Sequence, residues 1–205
     1  MLLKIFPENP SDRKMRQIID TMHSGGIVIF PTDTVYGLGC DINQSEAAEK
    51  IAHIKKQSLS KSDFSLICSD LSQVTGYTKQ IEKSTFKLIK KNLPGPFTFI
   101  LEANNNIPKI FRNRKKTIGI RIPDNPIPRE IARQLDNPII TTSILDEDKI
   151  VEYTTNPELI HERYKHIVDI VIDGGISDNK PSTVVDCTKE FVEIIREGKS
   201  SLIEP

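Results

Sequence analysis

Two patterns of hydrophobic residues alternate along this chain, and they predict different secondary-structure elements. Between Ser11 and Ser24 the apolar residues recur at the i, i+3, i+4, i+7 spacing of a helix with one buried face: Met15, Ile18, Ile19 and Met22. Residues 27–30 are instead an unbroken apolar run, which is typical of a strand buried on both faces. Two glycines at 25 and 26 separate these segments and predict the end of the helix.

The same alternation continues almost to the end of the chain. Further helices are predicted at residues 45–54, 80–91, 128–135 and 157–164. Further strands are predicted at residues 2–6, 64–68, 97–101, 117–122, 139–142, 168–172, 183–186 and 192–196. Strands and helices that alternate in this way predict an α/β domain with a mixed, mostly buried sheet.

The segment after the apolar run 27–30 differs from the rest in composition. Pro31 cannot donate to a strand ladder, so the strand should stop there and open into a polar loop that Gly37 and Gly39 close. A buried strand that ends in hydroxyl groups and glycines is a common way for an α/β sheet to build a ligand site. An ordinary turn after a strand is the alternative interpretation.

Composition and charge narrow the class of protein. A chain of 205 residues fits one domain with a core of its own. Lys and Arg balance Asp and Glu at 28 each, which argues against a general nucleic-acid coat protein but leaves room for a local basic pocket. The N-terminal apolar segment is too short for a signal peptide and no run approaches membrane-spanning length, so we expect a cytoplasmic protein without a membrane partner.

The positions of the cysteines and histidines do not indicate a disulfide framework or a metal site. Cys40, Cys68 and Cys187 are odd in number and far apart, so they predict buried or half-buried thiols rather than disulfides or a zinc site. The four histidines lie in charged, helical surroundings, where we expect solvated side chains. No metal site is predicted from side chains of the protein.

Cations and hydroxyl groups gather at strand and helix ends, a mixture that suits an anionic ligand. Lys55 ends a predicted helix, where the macrodipole alone would also favour a lysine. Arg121 lies inside an apolar strand, which is costly unless the guanidinium meets an anion or an ion-pair partner. Both alternatives stay open for each residue.

A basic run forms a further candidate surface. Arg112, Arg114, Lys115 and Lys116 are close together in a predicted loop. A solvated turn is the simplest interpretation of such a run. Clustered cations are also sufficient for contacts to an RNA backbone, so these four residues are candidates for RNA contact.

Residues 31–38, Pro-Thr-Asp-Thr-Val-Tyr-Gly-Leu, resemble the Pro-Thr-Glu-Thr-Val-Tyr-Gly-Leu signature of the YrdC/YciO family of threonylcarbamoyl-adenylate synthases. Further family elements follow in order: Pro-Gly-Pro-x-Thr at 94–98, Gly-x-Arg-x-Pro at 119–123, Asp-Gly-Gly at 173–175, Ser-Thr-Val-Val-Asp at 182–186 and Arg-x-Gly at 196–198. The resemblance therefore covers about residues 10 to 199.

The resemblance implies a fold and an activity. It implies one YrdC-like domain over residues 10–199, preceded by a strand and turn at 1–9 and followed by a tail at 200–205. That domain is a twisted mixed sheet flanked by helices, with a large concave cavity. The implied activity is that of a nucleotidyltransferase, which converts ATP, L-threonine and bicarbonate into threonylcarbamoyl-adenylate for tRNA modification, with Mg²⁺ accompanying ATP.

The resemblance also implies roles for individual residues. Lys55 and Arg121 match catalytic positions that hold phosphates. Substrate and nucleotide would be bound by Thr32, Thr34, Tyr36, Thr98, Ser143, Ser182, Thr183 and Arg196.

Two positions depart from the synthase pattern. The family's Lys-x-Arg becomes Lys55-x-Gln57, followed by Ser58 in place of proline, and its Ser-x-Asn becomes Ser143-x-Leu145. Glutamine cannot replace a permanently charged, bidentate phosphate donor. These changes resemble the YciO branch and predict reduced synthase activity, and the alternative is a double-stranded RNA or nucleotide-binding protein without efficient catalysis.

Overall fold

The computed structural model describes residues 1–57, 64–111, 116–144 and 154–204. Within them the helices are α1 Asp12–His23, α2 Ser45–Ile54, α3 Leu71–Tyr77, α4 Lys83–Asn92, α5 Pro126–Gln134 and α6 Pro157–Tyr164, with a short 3₁₀ helix at Lys109–Phe111. The strands are β1 Leu2–Lys4, β2 Val28–Phe30, β3 Gly37–Asp41, β4 Ser65–Ile67, β5 Phe97–Glu102, β6 Thr117–Arg121, β7 Ile139–Ser143, β8 Ile170–Asp173, β9 Thr183–Asp186 and β10 Glu193–Arg196.

The strands form one mixed sheet in the order β1-β8-β2-β3-β7-β4-β6-β5-β9-β10. Parallel pairs join β1 to β8, β2 to β8, β4 to β6 and β5 to β9. The remaining neighbours are antiparallel. The prediction of an α/β domain with a mixed sheet is therefore confirmed.

Alternate residues of the central strands supply two hydrophobic cores, one on each face of the sheet. Val28 and Phe30 pack on one face with α1 and α5, whereas Ile29 packs on the other face with buried residues of α2, α4 and α6. Helices on both faces explain why the sequence of β2 is apolar without alternation.

The interpretation of Gly37 and Gly39 as the residues that close a loop is wrong. Gly37–Asp41 is the strand β3, which pairs antiparallel with β2 and β7 near the middle of the sheet. A Cβ at Gly37 would lie 2.8 Å from the Phe30 ring, and a Cβ at Gly39 would lie 2.6 Å from the Ile140 carbonyl oxygen. These glycines therefore allow close packing inside a strand, so the loop to be explained shortens to residues 31–36.

Other differences are local. The sequence pattern did not predict α3, whose seven residues bury only Val74 and whose N-terminus is capped by the Asp70 side chain. Helix α5 begins at Pro126 rather than Pro128, because Asn125 accepts a hydrogen bond from the Ile127 N–H and caps it. Strand β1 ends at Lys4 and pairs with β8 in the main sheet.

His23 is exposed, as expected, although it also pairs with a buried carboxylate. Its Nδ1 lies 3.1 Å from Oδ2 of Asp41, a side chain that is only 2% exposed. The cysteine prediction is confirmed, because Cys40 and Cys68 are buried and Cys187 is half-buried. None of the described helices has the length and apolar character needed to cross a membrane.

Candidate functional site

The site is built where the β2–β3 loop meets the end of β6. Arg121, the last residue of β6, extends a guanidinium whose Nη2 donates to Oδ1 of Asp33 at 3.1 Å and to Oγ1 of Thr34 at 2.9 Å. The Asp33 and Arg121 side chains are only 8% and 11% exposed. The ion pair that the sequence left open as an alternative for Arg121 is therefore present.

The loop hydroxyls are buried and bonded to one another. Thr32 Oγ1 lies 3.1 Å from Thr34 Oγ1 and donates to the Val35 carbonyl oxygen. The Thr34 N–H donates to Thr32 Oγ1, so the loop holds its own shape. Tyr36 is fully buried, its hydroxyl donates to the Gly175 carbonyl oxygen at 2.7 Å, and burial raises its pKa.

A second group of residues lies on β5 and β10 and at the start of β9, beyond β6 in the sheet. Oγ of Ser182 and Oγ1 of Thr98 are 2.7 Å apart, and both residues are buried. Arg196 is an exposed residue of β10, yet its Nε and Nη2 donate to the Ser182 carbonyl oxygen. Thr183 Oγ1 accepts from the Gly198 N–H, which ties the chain after β10 to β9.

The two arginines interact electrostatically. Burial lowers the pKa of the Arg121 guanidinium, and the positive charge of Arg196 acts in the same direction, while Asp33 opposes both. The positive charge of Arg196 therefore acts at Arg121, and two cations whose charges add in this way favour a negative charge between them. Nε of Arg121 is buried and has no hydrogen-bond partner among the described residues.

The remaining predicted positions are placed but not joined to this cluster by the contacts described above. Lys55 follows the last residue of α2 and is half-buried. Ser143 is the last residue of β7 and pairs with Gly37 of β3. Their convergence with Arg121, and a concave cavity above the cluster, stay predictions.

Several predicted positions fall outside the described residues, namely Ser58, Arg112, Arg114, Lys115 and Leu145. Lys116 is described, is exposed and has a φ of 54°. The RNA-contact prediction for the four basic residues therefore stays a prediction.

The sequence did not single out Asp33 and Lys199. The Lys199 Nζ donates to the Asp33 carbonyl oxygen at 2.6 Å and lies 3.2 Å from Oδ2 of Asp178. A usable signal was present for Asp33, since it is the acidic residue of the 31–38 motif and Arg121 needed a buried partner. Lys199 gave no such signal, because its contact joins residues 166 positions apart.

Comparison with known proteins agrees with this arrangement. The Sua5/YciO/YrdC family model, described as telomere recombination, matches residues 20–198. The chain belongs to the Sua5/YciO/YrdC family. This membership confirms the resemblance on which the site residues were chosen.

Relatives span nearly the whole chain. A Haemophilus influenzae protein is 39% identical over 200 residues, which is 96% of this chain and 95% of the relative. A Methanocaldococcus jannaschii protein named putative threonylcarbamoyl-AMP synthase is 34% identical over 96% of this chain and 92% of its own length. The crystal structure of Escherichia coli YciO superposes with a TM-score of 0.91 at 35% identity, covering 98% of this chain and 97% of that one.

Proposed function

We propose that this protein binds ATP, L-threonine and bicarbonate and forms threonylcarbamoyl-adenylate for tRNA modification, at a lower rate than the synthases of its family. The observation that carries the proposal is that Nε of Arg121 is buried and without a partner among the described residues, beside a guanidinium on which the positive charge of Arg196 also acts. The relative from Methanocaldococcus jannaschii named as a putative synthase supports the choice of reaction.

The proposed reaction requires neutralisation of the charge on the phosphates and positioning of the substrates. The threonine amine adds to bicarbonate with loss of water and gives a carbamate. A carbamate oxygen then attacks the α-phosphorus of ATP, the bond to the bridging oxygen breaks, and pyrophosphate leaves. Arg121 and Arg196 would neutralise charge that develops on the phosphates, and Lys55 would add a third cation.

The hydroxyl groups would orient the substrates. Thr34 Oγ1 accepts a hydrogen bond from Arg121. Arg196 donates to the carbonyl oxygen of Ser182 and lies 3.5 Å from its Oγ. A ligand held between the arginines would therefore meet the hydroxyls of both segments. Fixed donors of this kind can contribute much of the rate of a group transfer without an acid–base pair.

The described residues do not fit a dedicated Mg²⁺ site. They contain no group of three or more His, Cys, Asp and Glu side chains that could hold a metal ion. Both carboxylate oxygens of Asp33 already accept hydrogen bonds, from Arg121 and from the Asp124 N–H. Mg²⁺ is therefore expected only as an ion carried by the phosphates of ATP, as is common for this metal.

The decisive experiment measures pyrophosphate release. The protein is incubated with ATP, threonine and bicarbonate, and threonine is omitted in the control. We expect slow, threonine-dependent release, and ATP alone should raise the melting temperature, because a ligand that binds only the folded state stabilises it. Absence of both effects would contradict the proposal.

A further inference from the structure

Asp33 joins the β2–β3 loop to two other segments of the chain, the β6–α5 connection and the segment after β10. Its Oδ1 accepts from Nη2 of Arg121 at 3.1 Å, at the end of β6. Its Oδ2 accepts from the Asp124 N–H at 3.0 Å, just before α5. Its carbonyl oxygen accepts from Nζ of Lys199 at 2.6 Å, after β10. The β2–β3 loop is thereby tied to both flanks of the site at a single residue.

These contacts require a carboxylate. Each of the two side-chain oxygens accepts from an N–H group, and an amide side chain offers only one acceptor oxygen. Replacement by asparagine would place an NH₂ group against either Arg121 or the Asp124 N–H. Position 33 therefore requires a side chain with two acceptor oxygens, one for Arg121 and one for the Asp124 N–H.

The contact with Arg121 determines how that side chain is presented. A guanidinium is planar, so holding Nη2 between Asp33 Oδ1 and Thr34 Oγ1 restricts the orientation of the whole group. Nε of the same group is buried and has no partner within the described ranges. A buried N–H of this kind is costly unless a ligand accepts from it.

We propose that Asp33 is the positioning residue of this site, whose carboxylate fixes the Arg121 guanidinium so that its remaining N–H groups bind an anionic phosphate ligand. The inference rests on the proposed function for the identity of that ligand, ATP. Asp33 itself acts through Arg121. Lys199, which also pairs with Asp178, holds the segment after β10 against the same loop.

A positioning role and a simple charge effect of Asp33 predict opposite changes in ATP affinity when its negative charge is removed. If Asp33 only competed with the ligand for Arg121, removal of its charge would make the site more positive and tighten ATP binding. If Asp33 positions Arg121, the same change releases the guanidinium and weakens ATP binding. The direction of the change in affinity therefore distinguishes them.

The test compares Asp33→Asn, Asp33→Glu and Asp178→Asn by calorimetric titration with ATP. We expect the affinity for ATP to fall by about tenfold to a hundredfold in Asp33→Asn, as misplacement of a binding group does. Asp33→Glu should stay near the wild-type affinity, because it keeps two acceptor oxygens and has the acidic residue of the family signature. Asp178→Asn is the matched control, because it removes one carboxylate beside Lys199 and leaves the contacts of Arg121 intact. Unchanged or tighter binding in folded Asp33→Asn would overturn the proposal.

A second measurement does not depend on ATP. In ¹⁵N NMR spectra of the side chains, the wild-type Arg121 guanidinium should show hindered rotation, and Asp33→Asn should lose it while Asp178→Asn retains it. Hindered rotation that persists in Asp33→Asn would refute the positioning role. Failure of wild-type protein to bind ATP would instead count against the proposed function, and the NMR comparison would still decide the role of Asp33.

If Asp33→Asn does not fold, Asp33→Ser carries both measurements. It removes the carboxylate and keeps a short polar side chain. Loss of hindered rotation of Arg121 with weaker ATP binding is expected, and wild-type values for both would overturn the inference.

Discussion

At the scale of single residues, the ion pair of Arg121 with Asp33 does not use all the donors of the guanidinium. Its Nη2 is engaged by Asp33 and Thr34, whereas Nε is left without a partner among the described residues. An arginine has five N–H donors, so one pairing does not exhaust it. Arg196 differs, since it is exposed and its hydrogen bonds are to the carbonyl oxygen and the hydroxyl of Ser182.

The first prediction concerns Arg196. Arg196→Ala should reduce the ATP-induced rise in melting temperature, because a hydrogen bond from a charged donor to the ligand contributes about 1.5–3 kcal/mol. The free protein should lose only about 1 kcal/mol, since the side chain is exposed and bonds one carbonyl oxygen.

Differential scanning fluorimetry with and without ATP checks this expectation. Lys189→Ala is the control, because it removes an exposed cation just before β10 whose ion pair is with the exposed Glu193. A wild-type ATP response in Arg196→Ala would exclude the proposed contact, and global unfolding would make Arg196 a structural residue.

The second prediction concerns the two departures from the synthase pattern. The double change Gln57→Arg, Leu145→Asn should raise the rate of threonine-dependent pyrophosphate release by roughly tenfold to a hundredfold, which corresponds to one charged phosphate contact of about 1.5–3 kcal/mol. Gln17→Arg on the exposed side of α1 makes the same type of substitution away from the site and should leave the rate unchanged. A wild-type rate equal to that of a YrdC-branch synthase, measured side by side, would show that these positions do not limit catalysis.

At the scale of elements, the segment after β10 is held against β9 by close backbone contact. A Cβ at Gly198 would lie 2.4 Å from the Pro181 carbonyl oxygen and 2.5 Å from the Thr183 nitrogen. The Gly198 N–H donates to Thr183 Oγ1, and the Lys199 N–H donates to the Pro181 carbonyl oxygen. This glycine therefore sets how closely the C-terminal segment approaches the hydroxyl-bearing strand.

The third prediction follows from that contact. Gly198→Ala should destabilise the fold by about 1–3 kcal/mol, as other overpacked substitutions do, and should weaken the ATP response by displacing Ser182 and Thr183. Gly76→Ala in α3 is the matched control, because its Cβ would meet no heavy atom within 4 Å. It should stabilise the helix by about 0.5–1 kcal/mol. Urea unfolding of both variants tests the pair, and equal stabilities would contradict the packing argument.

At the scale of the whole molecule, the sheet order brings distant segments of the chain together. Strands β6, β5, β9 and β10 are consecutive in the sheet although β5 and β9 are some eighty residues apart in sequence. Arg121 and Arg196 lie on β6 and β10 of this group. The positive charge they share is local, since the chain as a whole has a net charge of zero.

The fourth prediction follows from that balance of charge. Any binding of double-stranded RNA should be weak and steeply salt-dependent, and replacing Arg112, Arg114, Lys115 and Lys116 together by serine should abolish most of it. The control removes four exposed cations from α4: Lys83, Lys87, Lys90 and Lys91. Filter binding at several salt concentrations measures both variants. Binding that survives the first replacement, or that ignores salt, would exclude this run as the contact.

The sequence by itself determined the elements whose signal is local. Helix α2 and helix α6 have the predicted bounds, and β9 does as well, because apolar periodicity and capping residues act within one element. The 31–38 motif and the order of the later motifs likewise placed the chain in its family, and family membership carries the choice of Arg121 and Arg196.

Only the tertiary structure decided the features that depend on distant neighbours. The sequence alone predicted that Gly37 and Gly39 are loop residues. Their packing role is visible only in the structure, where β2 and β7 lie on either side and leave no room for a Cβ. The pairing of Arg121 with Asp33 joins residues 88 positions apart. The sequence indicated that a buried arginine needs an anionic partner, but it did not identify which residue that partner is. Hydrophobic periodicity encodes which face of an element is buried, whereas the identity of the contacts across that face is fixed only when the sheet assembles.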